Sequence, residues 1–186
     1  MKKVIIFDFF GVICSEVAPR WIQKRLPAAN AEELREKYIR PVDLGKNSDE
    51  ELFQTLGGMT GLEPSEVLDE WQELVAIDTD LVTYIKELKK FTRIALCSNA
   101  WTNFIRPILD SNNLNQLFDV ITISGEIGYA KPDKEIYLAT IKSLNVSPSD
   151  CIFVDDNPKN IAVAQVLGMT GVLFTSVADL KSELKD

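Results

Sequence analysis

Apolar and polar positions give the chain two textures. Val4-Ile5-Ile6-Phe7 is an unbroken apolar run, led in by Lys2-Lys3 and closed by Asp8. Such a run predicts a strand buried on both faces, as in the middle of a parallel sheet. From about Asp78 similar runs alternate with helix-periodic stretches. Leu81, Ile85 and Leu88 mark a helix, and Arg93-Ile94-Ala95-Leu96-Cys97 a strand ending in Ser98-Asn99. Thr102 to Leu109 reads as a helix that Pro107 should kink or interrupt. Residues 117–123 contain a third strand, followed by a loop over 124–132 on the strength of its glycines and proline. A helix over 133–144, a strand over 151–154, a helix capped by Asn157-Pro158, a strand over 171–174 and a terminal helix from Val177 complete the series. Repeated strand–helix units predict an α/β fold: a Rossmann-like, mostly parallel sheet with helices on both faces.

Ser15 to about Thr79 breaks this rhythm. Charged residues are frequent and apolar ones recur at helical spacing, with no strand alternation. Four short helices are expected: around Trp21, Ile22 and Leu26; after the cap Asn30; from Asp49 to Leu56, capped by Ser48 and stopped by Gly57-Gly58; and from Glu63 to Val75, entered through Pro64-Ser65. That is too much for a simple crossover, so it reads as an inserted small helical cap. The expected division is a core of 1–14 and 79–186 and a cap subdomain of 15–78. Trp21, Tyr38, Phe53 and Trp71 are expected in the cap's own core, Trp101 and Tyr129 near the mouth of a site. Arg20, Arg35 and Arg40 could grip an anionic substrate, with a solvated helix face the favoured reading of each.

Composition narrows the function. With 20 basic and 28 acidic residues the net charge is -8, which argues against nucleic acid or an anionic membrane as partner. The N-terminal apolar run is too short for a signal peptide or a spanning segment, so the expected location is cytoplasmic. The chain has no histidine, and its three cysteines lack CxxC spacing, which excludes His-based triads and disfavours structural zinc. Cys97 and Cys151 read as small core hydrophobes.

Four strand ends present polar groups: Asp8, Ser98-Asn99, Lys131 and Asp155-Asp156. Parallel strands bring these ends to one sheet edge, where open α/β sheets place ligands. Three carboxylates held close are costly unless something binds them. With neither sulfur nor imidazole in the set, a hard cation, Mg²⁺, together with an anionic substrate is the economical answer.

These stretches resemble the motifs of the haloacid dehalogenase-like (HAD) hydrolase superfamily. Asp8 with Gly11-Val12 is similar to the first motif and Leu96-Cys97-Ser98-Asn99 to the second. Gly128-Tyr129-Ala130-Lys131-Pro132 is similar to the third, and Phe153 to Asn160 to the fourth. The insert falls where that family places its small helical cap, in a subgroup resembling sugar-phosphate and glucose 1-phosphate phosphatases. The resemblance implies a phosphatase acting on a small phosphorylated metabolite, with Asp8 as the nucleophile forming a phosphoryl-aspartate. It implies Mg²⁺ held by Asp8, the backbone carbonyl of Phe10 and Asp156, with Asp155 a further acidic contact, direct or one layer behind. Ser98 and the backbone of Asn99 would hold phosphate oxygens, and Lys131 would neutralise charge on Asp8 and the phosphate.

The departure is Phe10. Phosphatases of the family usually carry a second aspartate there, which protonates the leaving group and then deprotonates water. Such assistance is typically worth ~10²–10⁴-fold. Three readings absorb the change. One is a phosphatase whose leaving group needs little protonation. Another is a catalytically weak relative that binds a phosphorylated ligand or a protein. The third is a 2-haloacid dehalogenase, against which the Asp155-Asp156 pair argues.

Overall fold

The computed structural model describes residues 4–27 and 29–184. Lys2 and Lys3 lie outside the described residues. Five strands form one sheet: β1 (Val4–Phe7), β2 (Arg93–Ser98), β3 (Val120–Ile123), β4 (Cys151–Asp155) and β5 (Thr170–Leu173). Their order is β3-β2-β1-β4-β5, and every pairing is parallel. The first strand is therefore central. Phe7 sits level with Leu96 on one side and Val154 on the other, so Asp8 emerges between the ends of β2 and β4.

Alternation sends neighbouring side chains of β1 to opposite faces. Val4 and Ile6 join Ala95, Cys97 and Phe153 beneath Ile136, Tyr137 and Ile141 of helix α9 (Lys134–Leu144) and Ile161 and Ala164 of α10 (Pro158–Val166). Ile5 and Phe7 face the other layer, built from α6 (Thr79–Leu88), α7 (Thr102–Ser111) and Leu180 of α11 (Val177–Glu183). The sheet is thus covered on both sides, as the apolar runs require, and the Rossmann-like α/β expectation holds.

The insert is helical: α1 (Ala18–Arg25), α2 (Ala31–Leu34), α3 (Arg40–Asp43), α4 (Asp49–Thr60) and α5 (Pro64–Glu73). A wide π-helical turn, Arg35–Ile39, joins α2 to α3. Pro41 explains it, because an α-helix would bring the proline ring against the carbonyl four residues back. Helix α4 does not stop at Gly57-Gly58 as expected. It runs on to Gly61, whose φ of 73° makes the left-handed cap, while Gly57 provides clearance for the Leu62 carbonyl. Helix α7 likewise runs through Pro107. The carbonyl left without its helical donor belongs to Asn103, an exposed residue. The expected loop after β3 contains a short helix, α8 (Ser124–Ile127), ended by Gly128 at φ 75°.

Chain segments 13–15 and 76–78 run side by side between sheet and insert. Ser15 N–H donates to the Ala76 carbonyl, Asp78 N–H to that of Ile13, and the Ser15 hydroxyl to that of Leu74. Above them an aromatic cluster joins insert to core. Trp71 packs 5.7 Å from both Phe53 and Trp101, and Trp101 stacks 5.0 Å from Phe104. Ring pairs of this kind add ~0.5–1.5 kcal/mol each beyond buried area. Tyr38 packs at the edge of this core, half-exposed, with Lys37 against its ring. No helix among the described residues is long and apolar enough to cross a membrane.

Candidate active site

The end of β1 builds the centre of the site. Asp8 continues the ladder by donating its N–H to the Val154 carbonyl (2.9 Å), and its Oδ1 accepts from the Phe9 N–H (2.6 Å). Lys131 Nζ lies 2.6 Å from Asp8 Oδ1 and 2.7 Å from Asp155 Oδ2, fully buried between them. Burial works against the lysine's charge, but Asp155 and Asp8 outweigh it and hold the ammonium protonated.

Asp155 is enclosed and fully engaged. Besides Lys131, its oxygens accept from the Asn157 N–H and from the Asn160 amide at 2.9 and 3.1 Å. Asp156 instead faces a small cavity that it lines with Asp8, Phe10, Glu16, Arg35, Asn99, Lys131, Asn157 and Asn160. Burial, with Asp155 adding repulsion, raises the Asp156 carboxyl above its ordinary range. Gly11, at φ +88°, makes room for this side chain: a Cβ there would overlap the Asp156 carboxylate.

Asp8, Asp155 and Asp156 each offer an oxygen within 4.8 Å of the others. One lysine against three carboxylates leaves the cluster short of positive charge, and an all-oxygen donor set suits a hard divalent cation. The cluster therefore fits the metal that the sequence implied.

The other expected residues are close by. Ser98 is fully enclosed at the end of β2, and its hydroxyl has no hydrogen-bond partner among the described residues. Such an orphan costs ~1–3 kcal/mol unless a ligand satisfies it. The Asn99 side chain is committed to Lys131, accepting from its N–H (2.7 Å) and donating to its carbonyl (2.8 Å). Phe10 packs edge-on against Phe9 (5.0 Å) and stacks on Phe104 (6.1 Å), so an aromatic wall stands where an acid was missed.

The chain belongs to the haloacid dehalogenase-like hydrolase family, which matches residues 2–168. It is similar to a D-ribitol-5-phosphate phosphatase of Bacteroides thetaiotaomicron, 30% identical, with 99% of this chain and 97% of that protein covered. A sesquiterpene phosphatase of Aspergillus oryzae is 27% identical over 98% of this chain and 95% of its own. Among solved structures, a HAD family enzyme from Bacteroides thetaiotaomicron, in complex with magnesium and inorganic phosphate, shares the fold. Its TM-score is 0.78 at 22% identity, over 97% of this chain and 99% of that one.

Within this HAD fold several residues to which the sequence assigned no role stand at the site. Arg35, read as a solvated face, lines both the Asp8 cavity and an adjoining one walled by Trp71, Trp101 and Phe104, with Asp43 on its side. Arg40 reaches back to the Lys131 carbonyl (3.2 Å) and to Asp133 (2.8 Å). Ser124 ties its hydroxyl to the Asp43 carbonyl (2.6 Å) and accepts from the Ala100 N–H. Glu16 lines both cavities. Only Asn160 carried a sequence signal, lying one helical turn past the Asn157 cap, where its amide turns back to the strand end. Tyr129, expected near the mouth, is half-exposed and lines none of these cavities.

Proposed function

We propose that this protein is a Mg²⁺-dependent phosphatase that hydrolyses a small phosphorylated metabolite through an aspartyl-phosphate on Asp8. The observation that carries the reading is the Asp8–Lys131–Asp155 arrangement with Asp156 in the same cavity. Asp8, the Phe10 carbonyl and Asp156 are the ligands proposed for Mg²⁺. Asp155, occupied by Lys131, Asn157 and Asn160, acts as the anchor that aims the lysine. When bound, the cation offsets negative charge, so that a carboxylate and a phosphate can share one site.

In the first step an Asp8 oxygen attacks phosphorus in line with the ester oxygen. The Asp8–phosphorus bond forms and the ester bond breaks. In the second step water attacks the same phosphorus, releasing phosphate and restoring Asp8. Lys131 compensates charge on the phosphoryl oxygens, as transfer through a loose transition state requires. The Ser98 hydroxyl and the Asn99 backbone are proposed to hold those oxygens. The division into a core of 1–14 and 79–186 and a cap of 15–78 belongs to the same reading. It leaves the leaving group in the aromatic cavity, which the cap partly walls.

The polyol phosphate and terpenoid phosphatase relatives support a phosphate monoester as substrate, with a sugar or polyol phosphate the class favoured here. Three buried cysteines suit the reducing cytoplasm. The test is phosphate release from a panel running from acetyl phosphate through glucose 1-phosphate and ribitol 5-phosphate to simple alkyl phosphates. Turnover that requires Mg²⁺ and disappears in Asp8→Asn is expected. Absence of turnover on every member would sink the reading and favour the binding role.

A further inference from the structure

We infer that Glu16 supplies the acid–base function that Phe10 cannot, giving a proton to the leaving-group oxygen and then taking one from the attacking water. This rests on the phosphatase reading above and deepens it.

Glu16 stands where a leaving-group proton is needed. The cavity over Asp8 must hold the phosphoryl group, and the aromatic cavity beside it holds the rest of the substrate. The oxygen that joins the two parts lies at the junction. Among the described residues, Phe10, Glu16, Arg35 and Asn99 line both cavities. The Phe10 side chain has no exchangeable proton. The Asn99 amide does not titrate and is tied to the Lys131 backbone. Arg35 carries a guanidinium, a group that binds anions rather than passing protons. Glu16 is the carboxyl at that junction. Asp43 lines the aromatic cavity but not the one over Asp8, and Asp156 the reverse.

The electrostatics agree with the position. Burial raises the Glu16 carboxyl above its ordinary range, Arg35 and Lys131 pull it back, and Asp156 and Asp155 add to the rise. The Ser15 hydrogen bonds to Ala76 and Leu74 fix the backbone immediately before it.

The proton balance closes over one turnover. As the Asp8–phosphorus bond forms, the ester P–O bond breaks and its electron pair goes to the departing oxygen. That oxygen takes the Glu16 proton and leaves as an alcohol. Glu16, now a carboxylate, accepts a proton from water as the water oxygen bonds to phosphorus. The electron pair of the Asp8–phosphorus bond returns to the aspartate, and Glu16 is again protonated.

The experiment compares wild type with Glu16→Gln across acetyl phosphate, p-nitrophenyl phosphate and alkyl phosphates, read as kcat/KM. That ratio reports formation of the phosphoaspartate, the step in which the leaving group needs a proton. Glu16→Gln should lose ~10²–10⁴-fold on alkyl phosphates and less than ~10-fold on acetyl phosphate, whose leaving group departs without one. With p-nitrophenyl phosphate it should release a burst of nitrophenol and then slow, because the base for the second step is also gone. An equal loss on all substrates, or none on alkyl phosphates, would overturn the inference while leaving the phosphatase reading intact. Should the variant not fold, wild type alone decides. A shallow dependence of kcat/KM on leaving-group ability supports an internal acid, and a steep one overturns it. Failure of wild type on acetyl phosphate as well would remove both readings together.

Discussion

Gly11 and Asp156 are matched across the site: the glycine's missing side chain is the space the aspartate's carboxylate occupies. Gly11 also holds φ +88°, which an alanine adopts only under strain. Gly11→Ala should therefore displace Asp156 and weaken the cation site. We expect Mg²⁺ affinity, measured as the concentration giving half-maximal phosphate release, to fall more than ~10-fold, with roughly 1–3 kcal/mol of stability lost to strain. An unchanged Mg²⁺ requirement would place the cation away from Asp156.

Lys131 is the only positive group bonded to Asp8 and Asp155 among the described residues. Lys131→Met keeps much of the side chain's bulk but leaves two buried carboxylates facing each other. Breaking a buried pair in this way costs roughly 3–5 kcal/mol. Urea denaturation should show that loss in the absence of metal, and added Mg²⁺ should recover more stability in the variant than in wild type. Phosphate release should be abolished with or without the metal. Equal stabilisation of the two proteins by Mg²⁺ would argue that lysine and cation do not share the same carboxylates.

How much of this was legible in the sequence follows from the range of the forces involved. Asp8, Asp155 and Asp156 stand at or just past strand ends, and a parallel sheet brings strand ends together whatever the loops do; Lys131 comes after α8 and is legible through the motif it shares with Pro132. Asn30, Ser48 and Asn157 act as caps because capping is settled within three residues. Gly57-Gly58 and Pro107 misled for the opposite reason. Their local preference for breaking a helix yields to Leu56, Phe104, Ile105 and Ile108, which are buried and hold the helices in place. Glu16 and Arg35 carry no periodic or motif signal. Their place is set by how the insert packs over the sheet, a contact between residues far apart in the chain.

Asp43 should give stability a pH dependence. Burial lifts its carboxyl from an ordinary 3.8 to about 7, with Arg35 and Arg40 only partly opposing the rise. The unfolded chain gives up this proton near pH 4 and the folded chain near pH 7. Between those values the folded state holds more protons, so the group's contribution makes stability fall as pH rises. Asp43→Asn removes that contribution. Chemical denaturation should find the variant close to wild type near pH 4 and progressively more stable towards pH 8, by up to about 4 kcal/mol. A gap that stays constant with pH would mean that the carboxyl is ionised in the folded protein throughout.

Phe10 divides its two roles between backbone and ring. Its carbonyl is the proposed metal ligand and survives substitution. Its ring, half-buried, stacks on Phe104 and closes one side of the aromatic cavity. Phe10→Ala should therefore keep measurable Mg²⁺-dependent turnover while losing roughly 1–3 kcal/mol, below the range for a fully buried phenylalanine. The space vacated adjoins the position proposed for the leaving group. Relative kcat/KM should then shift from small alkyl phosphates towards bulkier esters such as benzyl phosphate. Stability by urea denaturation and kcat/KM across the ester series separate the two effects. A folded Phe10→Ala without any turnover would show that the ring itself, and not only the backbone it is attached to, is required for the chemistry.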